Sequence, residues 1–328
     1  MRAVEISSFG PPEVLRLVER RKPEPSDREI LVRIRAAGVA RADVLQRQGK
    51  YPPPPGTSDL PGLDVAGIVE AVGHSVTEWA VGDQVCAILS GGGYAEYCAV
   101  PAQQVLRMPT GWTFVEAASL PENLFTVYDN LVMRAGLAQK ETILIHGGSS
   151  GIGTMAIMLA TLFNATIIVT AGTDEKCDAC LKLGAHHAIN YKVKTDFARE
   201  LQHITERRGA DVILDMVGGT YLARNIASLA TEGRMVIIAT QGGHTAELDL
   251  AALMKKRARI MGSTMRVRTP AEKGKVARSL EQNIWPVLAA KTPIHPVIDS
   301  VYSLEEACSA HIRMESSRTF GKVLLQID

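Results

Sequence analysis

A surplus of either charge is missing from this chain: 36 lysines and arginines face 35 aspartates and glutamates, for a formal net charge of +1. Without a global field, nothing in the composition draws in DNA, RNA or an acidic membrane surface, and a small, uncharged or cofactor-bound partner fits better. The one basic cluster, Lys255-Lys256-Arg257-Ala258-Arg259, reads as a solvated helix face, so no nucleic-acid partner is expected. Cysteine is also scarce. Cys86, Cys98, Cys177, Cys180 and Cys308 are odd in number and dispersed, whereas an extracellular disulfide scaffold is short and cysteine-dense. A reducing, cytoplasmic setting is the expectation. Long hydrophobic runs are absent: no stretch reaches the ~18 consecutive apolar residues of a membrane span. MRAVEISSFG has no apolar signal core after its early arginine, so neither insertion nor export is expected.

What is present divides along the chain. At 328 residues and 46% hydrophobic, two domains with large cores are expected. The first third holds short β-type runs (ILVRIRAAGV, VAGIVEAVG, DQVCAIL, AEYCAV) broken by Gly, Pro and Asp, which suits a small, mostly antiparallel unit. From about residue 140, short apolar runs (TILIH, TIIVTA, DVILDMV, RMVIIAT, RIMGSTM) alternate with longer amphipathic segments. Strands covered on both faces by helices read this way, so an α/β, doubly wound parallel sheet is predicted. The tail from about Pro293 has helix and strand content that returns to the first domain. The predicted division is residues 1–122 with 293–328 against 123–292.

The stretch HGGSSGIG, 146–153, follows TILIH and leads into an apolar helix. Gly147, Gly148, Gly151 and Gly153 lack the side chains that would keep a diphosphate from the backbone, and the positive end of the following helix can hold it. The strand before, the helix after and the next strand ending near Ala171 supply the context that a dinucleotide site requires. The spacing also matches the short-chain dehydrogenase fingerprint. That family sets it near the amino terminus with a Tyr-xxx-Lys pair, and none of Tyr191, Tyr221 or Tyr302 has a lysine four residues on.

The segments GVARADVLQRQGKYPPPPG (38–56), LPGLDVAGIVEAVG (60–73), GDQVCAIL (82–89), GGYAEYCAVP (92–101), HGGSSGIGTMAI (146–157) and SRTFGKVLL (317–325) carry a more specific likeness. Together they resemble the zinc-independent quinone oxidoreductase, or zeta-crystallin-like, branch of the medium-chain dehydrogenase/reductase superfamily. The resemblance implies a β-rich GroES-like catalytic domain beside a Rossmann domain. Zinc enzymes of the superfamily polarise their substrate with a metal held by a Cys and a His-Glu pair, and the corresponding positions here are Ala40 and Leu63-Asp64. No metal is expected. Cys177-xx-Cys180 and His186-His187 read as packing or structural residues.

The cofactor implied is NADPH. The second strand of the Rossmann unit ends in neutral Ala171-Gly172-Thr173 where an NAD enzyme usually carries an acid. The resemblance gives Lys176, Tyr191 and Arg318 to the 2′-phosphate. Lys176 could equally be a solvated helix residue, and Asp174 and Glu175 could turn toward the ribose. Ser150, Gly151, Ile152 and Gly153 would meet the diphosphate. Thr126, Gln241, Gly242 and Met265 would lie along the cofactor, with capping or packing the other reading of Thr126.

The expected reaction is hydride transfer from nicotinamide C4 to a quinone or other conjugated carbonyl in the cleft between the domains. Tyr51 and Asp43 are the candidate catalytic residues. Tyr51 would donate to the reduced oxygen, unless it is a packing wedge before its four prolines; Asp43 could as well be a helix-turn or ion-pair residue. Relatives commonly carry Asn in place of Ala40, which puts substrate orientation in question. Reduction of an enone or alkenal double bond, or a non-catalytic crystallin-like NADPH-binding role, are the alternatives. The resemblance also implies a homodimer or homotetramer paired through RIMGSTMRV (259–267) at the sheet edge.

Overall fold

The structure is a computed structural model describing all 328 residues. Its packing falls into two compact units: Met1–Phe125 with Met265–Asp328, and Thr126–Thr264. The amino-terminal part of the first unit contains strands β1 (Arg2–Ile6), β2 (Leu15–Glu19), β3 (Glu29–Val39), β4 (Asp64–Val72), β5 (Gln84–Ile88), β6 (Tyr97–Pro101) and β7 (Val105–Arg107). Its helices are α1 (Arg41–Arg47), α2 (Phe114–Ala118) and α3 (Pro121–Tyr128), the last of which runs into the second unit. The second unit contributes β8 (Thr142–His146) through β13 (Arg259–Gly262), namely β9 (Thr166–Ala171), β10 (His187–Asn190), β11 (Ala210–Asp215) and β12 (Leu229–Ile237) between them. Interleaved are α4 (Gly151–Thr161), α5 (Asp174–Leu183), α6 (Phe197–Ile204), α7 (Leu222–Ser228) and α8 (Leu250–Lys256). The chain then returns to the first unit with α9 (Pro270–Asn283), α10 (Trp285–Leu288), β14 (Ile298–Ser303), α11 (Ala307–Glu315) and β15 (Lys322–Gln326).

In the first unit β1 and β2 form an antiparallel ribbon, and the larger sheet is ordered β14-β15-β3-β4-β5-β7, with β6 also on β3. Every pair in that sheet is antiparallel except β14 with β15. Its core is aliphatic: Ile30, Val32, Ile34, Val65, Val69, Val85, Val323 and Leu325 are buried together, and burying each side chain of this kind contributes ~1.5–3 kcal/mol. One ion pair interrupts this apolar surface. Lys322, opening β15, reaches Asp64, opening β4, at 3.0 Å and Glu122 at 3.2 Å. The strand between them, β3, carries Gly38 at the crossing, where a Cβ would come within 2.2 Å of Asp64 Oδ1 and 2.6 Å of Lys322 Cε. Burial pushes the Asp64 carboxyl up to about 6 against the pull of Lys322, while the two carboxylates hold Lys322 above its ordinary range.

The second unit is a six-stranded parallel sheet ordered β10-β9-β8-β11-β12-β13. Ile143, Leu144, Ile145, Ile167, Ile168, Val169, Val212, Ile213 and Leu214 are wholly buried, which is why these strands are continuous apolar runs. The order reverses on either side of β8, and ligands of such sheets bind outside the carboxyl ends of the strands at that point. The α/β class and the pairing of a parallel sheet with a β-rich unit are as expected. No helix is long and apolar enough to cross a membrane.

The return to the first unit comes earlier than the predicted residue 293. Residues 265–292 pack there because α9 lies along 102–107: Arg278 Nη2 donates to the Val105 carbonyl at 3.0 Å, and Gly274 sits where a Cβ would be 3.1 Å from Gln103 Cβ. Trp285 Nε1 donates to the Arg107 carbonyl at 2.8 Å, and Trp112 Nε1 to that of Leu288 at 3.0 Å. The edge strand β13 is also shorter than the predicted 259–267, ending at Gly262.

Replacing Lys322 with Met would leave Asp64 buried beside a second acid with no cation. Urea unfolding of Lys322→Met is expected to show a loss of ~3–5 kcal/mol, most of it recovered when Asp64 is replaced by Leu in the same chain.

Candidate functional site

In the second unit β8 ends in a turn that only glycine can make. Gly147 lies at φ 68°, and a Cβ on Gly153 would stand 2.2 Å from the Gly147 carbonyl oxygen. Ser150 caps α4: its Oγ accepts from the Gly153 N–H at 2.9 Å and donates to the Gly147 carbonyl at 2.8 Å. Gly151 and Ile152 follow as the first residues of the helix, where backbone N–H groups precede the intrahelical ladder and point outward with the positive end of the dipole. The turn is thus a bare backbone cradle at the carboxyl end of the central strand, suited to an anionic diphosphate.

The flanking strands bring other expected residues to the same end of the sheet. Beyond β9, Thr173 caps α5 by accepting from the Lys176 N–H at 3.3 Å, which puts Lys176 in the first turn. Tyr191, following β10, has its hydroxyl against Gly172, where a Cβ would be 2.8 Å away. Gln241 and Gly242 are tied to the segment after β11 through Gln241 N–H to Met216 carbonyl at 3.3 Å and Gly242 N–H to Val217 carbonyl at 2.7 Å. Met216 in turn packs against Gly147. Ser150 to Gly153, Lys176, Tyr191, Gln241 and Gly242 therefore share one face of this unit. Thr126 lies in α3 with its carbonyl accepting from Asn130 Nδ2 at 2.7 Å. Met265 and Arg318 belong to the first unit, Met265 buried and Arg318 exposed in the turn after α11.

Beneath the turn His146 is fully buried, a role the sequence did not single out. Asn225 Oδ1 lies 2.8 Å from Nε2 and Thr170 Oγ1 3.1 Å from Nδ1, so the ring donates to Asn225 and accepts from the threonine hydroxyl. Phe197 and Tyr221 pack edge-on at 4.8 and 4.9 Å between centroids. Burial pushes this imidazole down to about 4. Cys180 packs below Gly148, and its thiol is pushed up to about 12 by burial.

In the first unit Asp43 is closed off from solvent. Oδ2 accepts from the Ala40 N–H at 2.8 Å and Oδ1 from the Gly62 N–H at 2.9 Å, with the Tyr94 hydroxyl 3.5 Å from Oδ2. Burial pushes it up to about 6. The expectation of a catalytic Asp43 is corrected here to the helix-turn role: it fastens the start of α1 to the 60–63 loop and has no face open to a substrate. A relay of buried polar groups leads away from it. Tyr94 Oη is 3.0 Å from His311 Nε2, and Arg47 Nη1 is 3.2 Å from His311 Nδ1. Arg47 can only donate, so His311 carries its proton on Nε2 and gives it to Tyr94, whose hydroxyl points on to Asp43. Burial and the Arg47 charge push His311 down to about 3.

Tyr51 is half-buried and keeps an open edge. The Arg266 guanidinium, missed in the sequence, stands over its ring at 5.2 Å, and Nη1 donates to the Tyr51 carbonyl at 3.1 Å. Burial raises the phenol, and the guanidinium works against the rise. Ala40 presents only a methyl group at the start of α1, Leu63 is buried, and Asp64 is spent on Lys322. No group of three or more His, Cys, Asp or Glu side chains is gathered as metal ligands would be.

Residues 26–110 match the family model described as alcohol dehydrogenase GroES-like domain, and 151–281 the one described as zinc-binding dehydrogenase. This pairing, on a β-rich unit and a Rossmann unit, defines an oxidoreductase of the medium-chain dehydrogenase/reductase superfamily. Quinone oxidoreductase of Homo sapiens is 31% identical over 331 residues, spanning 99% of this chain and 97% of that protein. The chain belongs to the quinone oxidoreductase branch of the superfamily. Among solved structures, Escherichia coli quinone oxidoreductase complexed with NADPH superposes with a TM-score of 0.88 at 29% identity, over 99% of this chain and 100% of that one. An NAD-dependent alcohol dehydrogenase superposes equally well, with a TM-score of 0.88 at 31% identity over 100% of both chains.

The two buried imidazoles make a spectroscopic signature. In proton–nitrogen spectra between pH 5 and 8, His146 and His311 are expected to stay neutral in the Nε2–H form. A charged imidazolium at either position near pH 6 would contradict the hydrogen-bond assignment.

Proposed function

We propose that this protein is an NADPH:quinone oxidoreductase that works without zinc in a reducing cytoplasm, where its five cysteines stay free. The observation that carries the reading is the chemistry of Ala40, Leu63 and Asp64: a methyl group, a buried isobutyl group and a carboxylate held by Lys322 leave no ligand set for a Lewis acid. A quinone needs none, because the charge it gains spreads over its conjugated carbonyls. The glycine cradle fits a dinucleotide, since the missing side chain of Gly153 lets α4 start directly against the Gly147–Gly148 backbone and leaves the N–H groups of the turn uncovered. Bound NADPH supplies a hydride, that is two electrons, from nicotinamide C4.

The chain's own residues do the rest. Ser150, Gly151, Ile152 and Gly153 hold the diphosphate through backbone N–H groups. Thr126, Gln241, Gly242 and Met265 contact the cofactor along its length. Lys176, Tyr191 and Arg318 take the 2′-phosphate. Support for the phosphate comes from the two acids placed to oppose it: Asp174 Oδ1 accepts from Asn190 Nδ2 at 2.7 Å, and Glu175 is held below the usual carboxylate range by its own N–H and the Thr173 hydroxyl. Both are engaged locally, and Lys176 is the cation in the first turn of α5. Tyr51 delivers a proton to the reduced oxygen: burial keeps its hydroxyl protonated, and the Arg266 guanidinium offsets part of that rise.

Lys176→Ala is expected to weaken NADPH by about tenfold, ~1.4 kcal/mol, while leaving NADH unchanged in a fluorescence titration. Tyr51→Phe is expected to lower kcat by about 10²-fold with little change in cofactor affinity. The deciding assay follows NADPH oxidation with a quinone and with an enone separately. Turnover of the enone alone would replace this reading with double-bond reduction, and binding without turnover of either would favour a non-catalytic role. The protein pairs through β13, which has a neighbour on one side only; light scattering is expected to give a dimer or tetramer, and a monomer would contradict it.

A further inference from the structure

Beside Arg266 the first unit holds a partly open pocket of about 680 Å³, lined entirely by its own residues. That volume suits a small organic molecule, and much of the wall is apolar, with Pro54, Leu60, Leu89 and Pro270. Of the cations that line it, Arg20, Arg21, Arg266, Arg268 and Lys273, two are almost wholly buried, Arg266 and Lys273. Neither has a carboxylate within ion-pair distance. Lys273 Nζ donates to Ser90 Oγ at 2.6 Å and to the Arg266 carbonyl at 3.1 Å. Arg266 donates to the Ser90 carbonyl at 2.9 Å, the Tyr51 carbonyl at 3.1 Å and Gln46 Oε1 at 2.6 Å. All of these acceptors are neutral, and they leave one ammonium proton and two guanidinium protons unspent.

The acids of the cavity are engaged elsewhere. Glu29 accepts from the Ser26 N–H at 3.0 Å, and Asp59 pairs with Arg20 at 2.8 Å. The charged groups that bear on the Lys273 ammonium are Arg266 and Arg268, both positive; Asp43 acts on Arg266 only from a distance. Two neighbouring cations withdrawn from water without a counter-charge are unfavourable, and burial with these neighbours pushes Lys273 down to about 8. An oxyanion would take up the unspent protons and supply the missing charge.

We propose that this cavity is a second small-molecule site, which takes a carboxylate or phosphate group against Lys273 and Arg266 with the apolar remainder of the ligand along the proline-rich wall. It is separate from the dinucleotide turn and does not rest on the NADPH assignment. The site adjoins Tyr51, because Arg266 is the side chain that holds the Tyr51 carbonyl and covers its ring.

Sulfate is the probe, since its charge is constant across the relevant pH range. It is titrated calorimetrically at constant ionic strength, balanced with chloride, into wild type, Lys273→Met and Lys176→Ala. One saturable site is expected in wild type and in Lys176→Ala, at least tenfold weaker in Lys273→Met. Loss in Lys176→Ala with retention in Lys273→Met would assign the anion to the 2′-phosphate position and overturn the proposal, as would identical binding by all three. In wild type the anion favours the charged amine, so affinity should fall about tenfold from pH 7 to pH 9 as Lys273 gives up its proton. Binding at pH 7 to 8 should also draw protons from the buffer. This pH series decides the matter even if Lys273→Met fails to fold: binding that ignores pH, or no binding, rejects the site.

Discussion

The first unit depends on one buried ion pair. Lys322 and Asp64 open two strands that flank a third, and they meet only because Gly38 on the intervening strand has no side chain to keep them apart. Desolvating both charges is costly and only close geometry with further bonds offsets the cost. Here Glu122 supplies them: its carboxylate meets Lys322, and its N–H reaches Asp64 at 3.3 Å. Strand order in the sheet, the start of α3 and the return of the carboxyl-terminal segment are therefore set at one point. The resemblance puts Asp64 at one of the positions where zinc enzymes of the superfamily hold their metal, and its commitment to a lysine ties the architecture of the unit to the chemistry proposed for it.

The parallel sheet and its glycine turn were legible because their causes are local. β8, the turn and α4 are consecutive in sequence; buried strands betray themselves as apolar runs, and Gly147 and Gly153 occupy places a Cβ would obstruct. For Asp43 the sequence left a helix-turn role and a catalytic one side by side, because the groups that close it off are distant in the chain. Its environment is made by Gly62, Tyr94 and His311, groups scattered over most of the chain, and nothing in ARADVLQ announces them. The same holds for α9, whose pattern suits another helix of the doubly wound sheet but whose partners lie at 102–107. Arg266 and Lys273 escaped notice for a related reason: a basic residue near a helix start is ordinarily solvated, and only the folded chain withdraws this pair from water.

Polar groups inside the first unit are arranged with direction. Arginine can only donate, so one geometry fixes the tautomer of His311, the role of Tyr94 and the acceptor role of Asp43 in sequence. Such a line has a single low-energy proton arrangement, which favours one packing of α1 against α11 over near alternatives. Arg47 extends it to Glu315 at 2.8 Å and to the Gly10 carbonyl at 3.0 Å. Rigidity gained here supports the loop that carries Tyr51, which begins only a few residues beyond α1.

The discontinuity of the first unit has a bearing on biosynthesis. A ribosome delivers the six parallel strands as one uninterrupted stretch, so that unit can fold while translation continues. The antiparallel sheet must wait, because β15 is made after everything it touches. Until Lys322 emerges, Asp64 has no counter-ion and the end of β3, residues 36–39, lacks its partner on the side opposite β4. The earliest-made part of the polypeptide is thus among the last to be completed, and the nascent chain carries the half-paired end of β3 for most of its elongation, a natural target for chaperones.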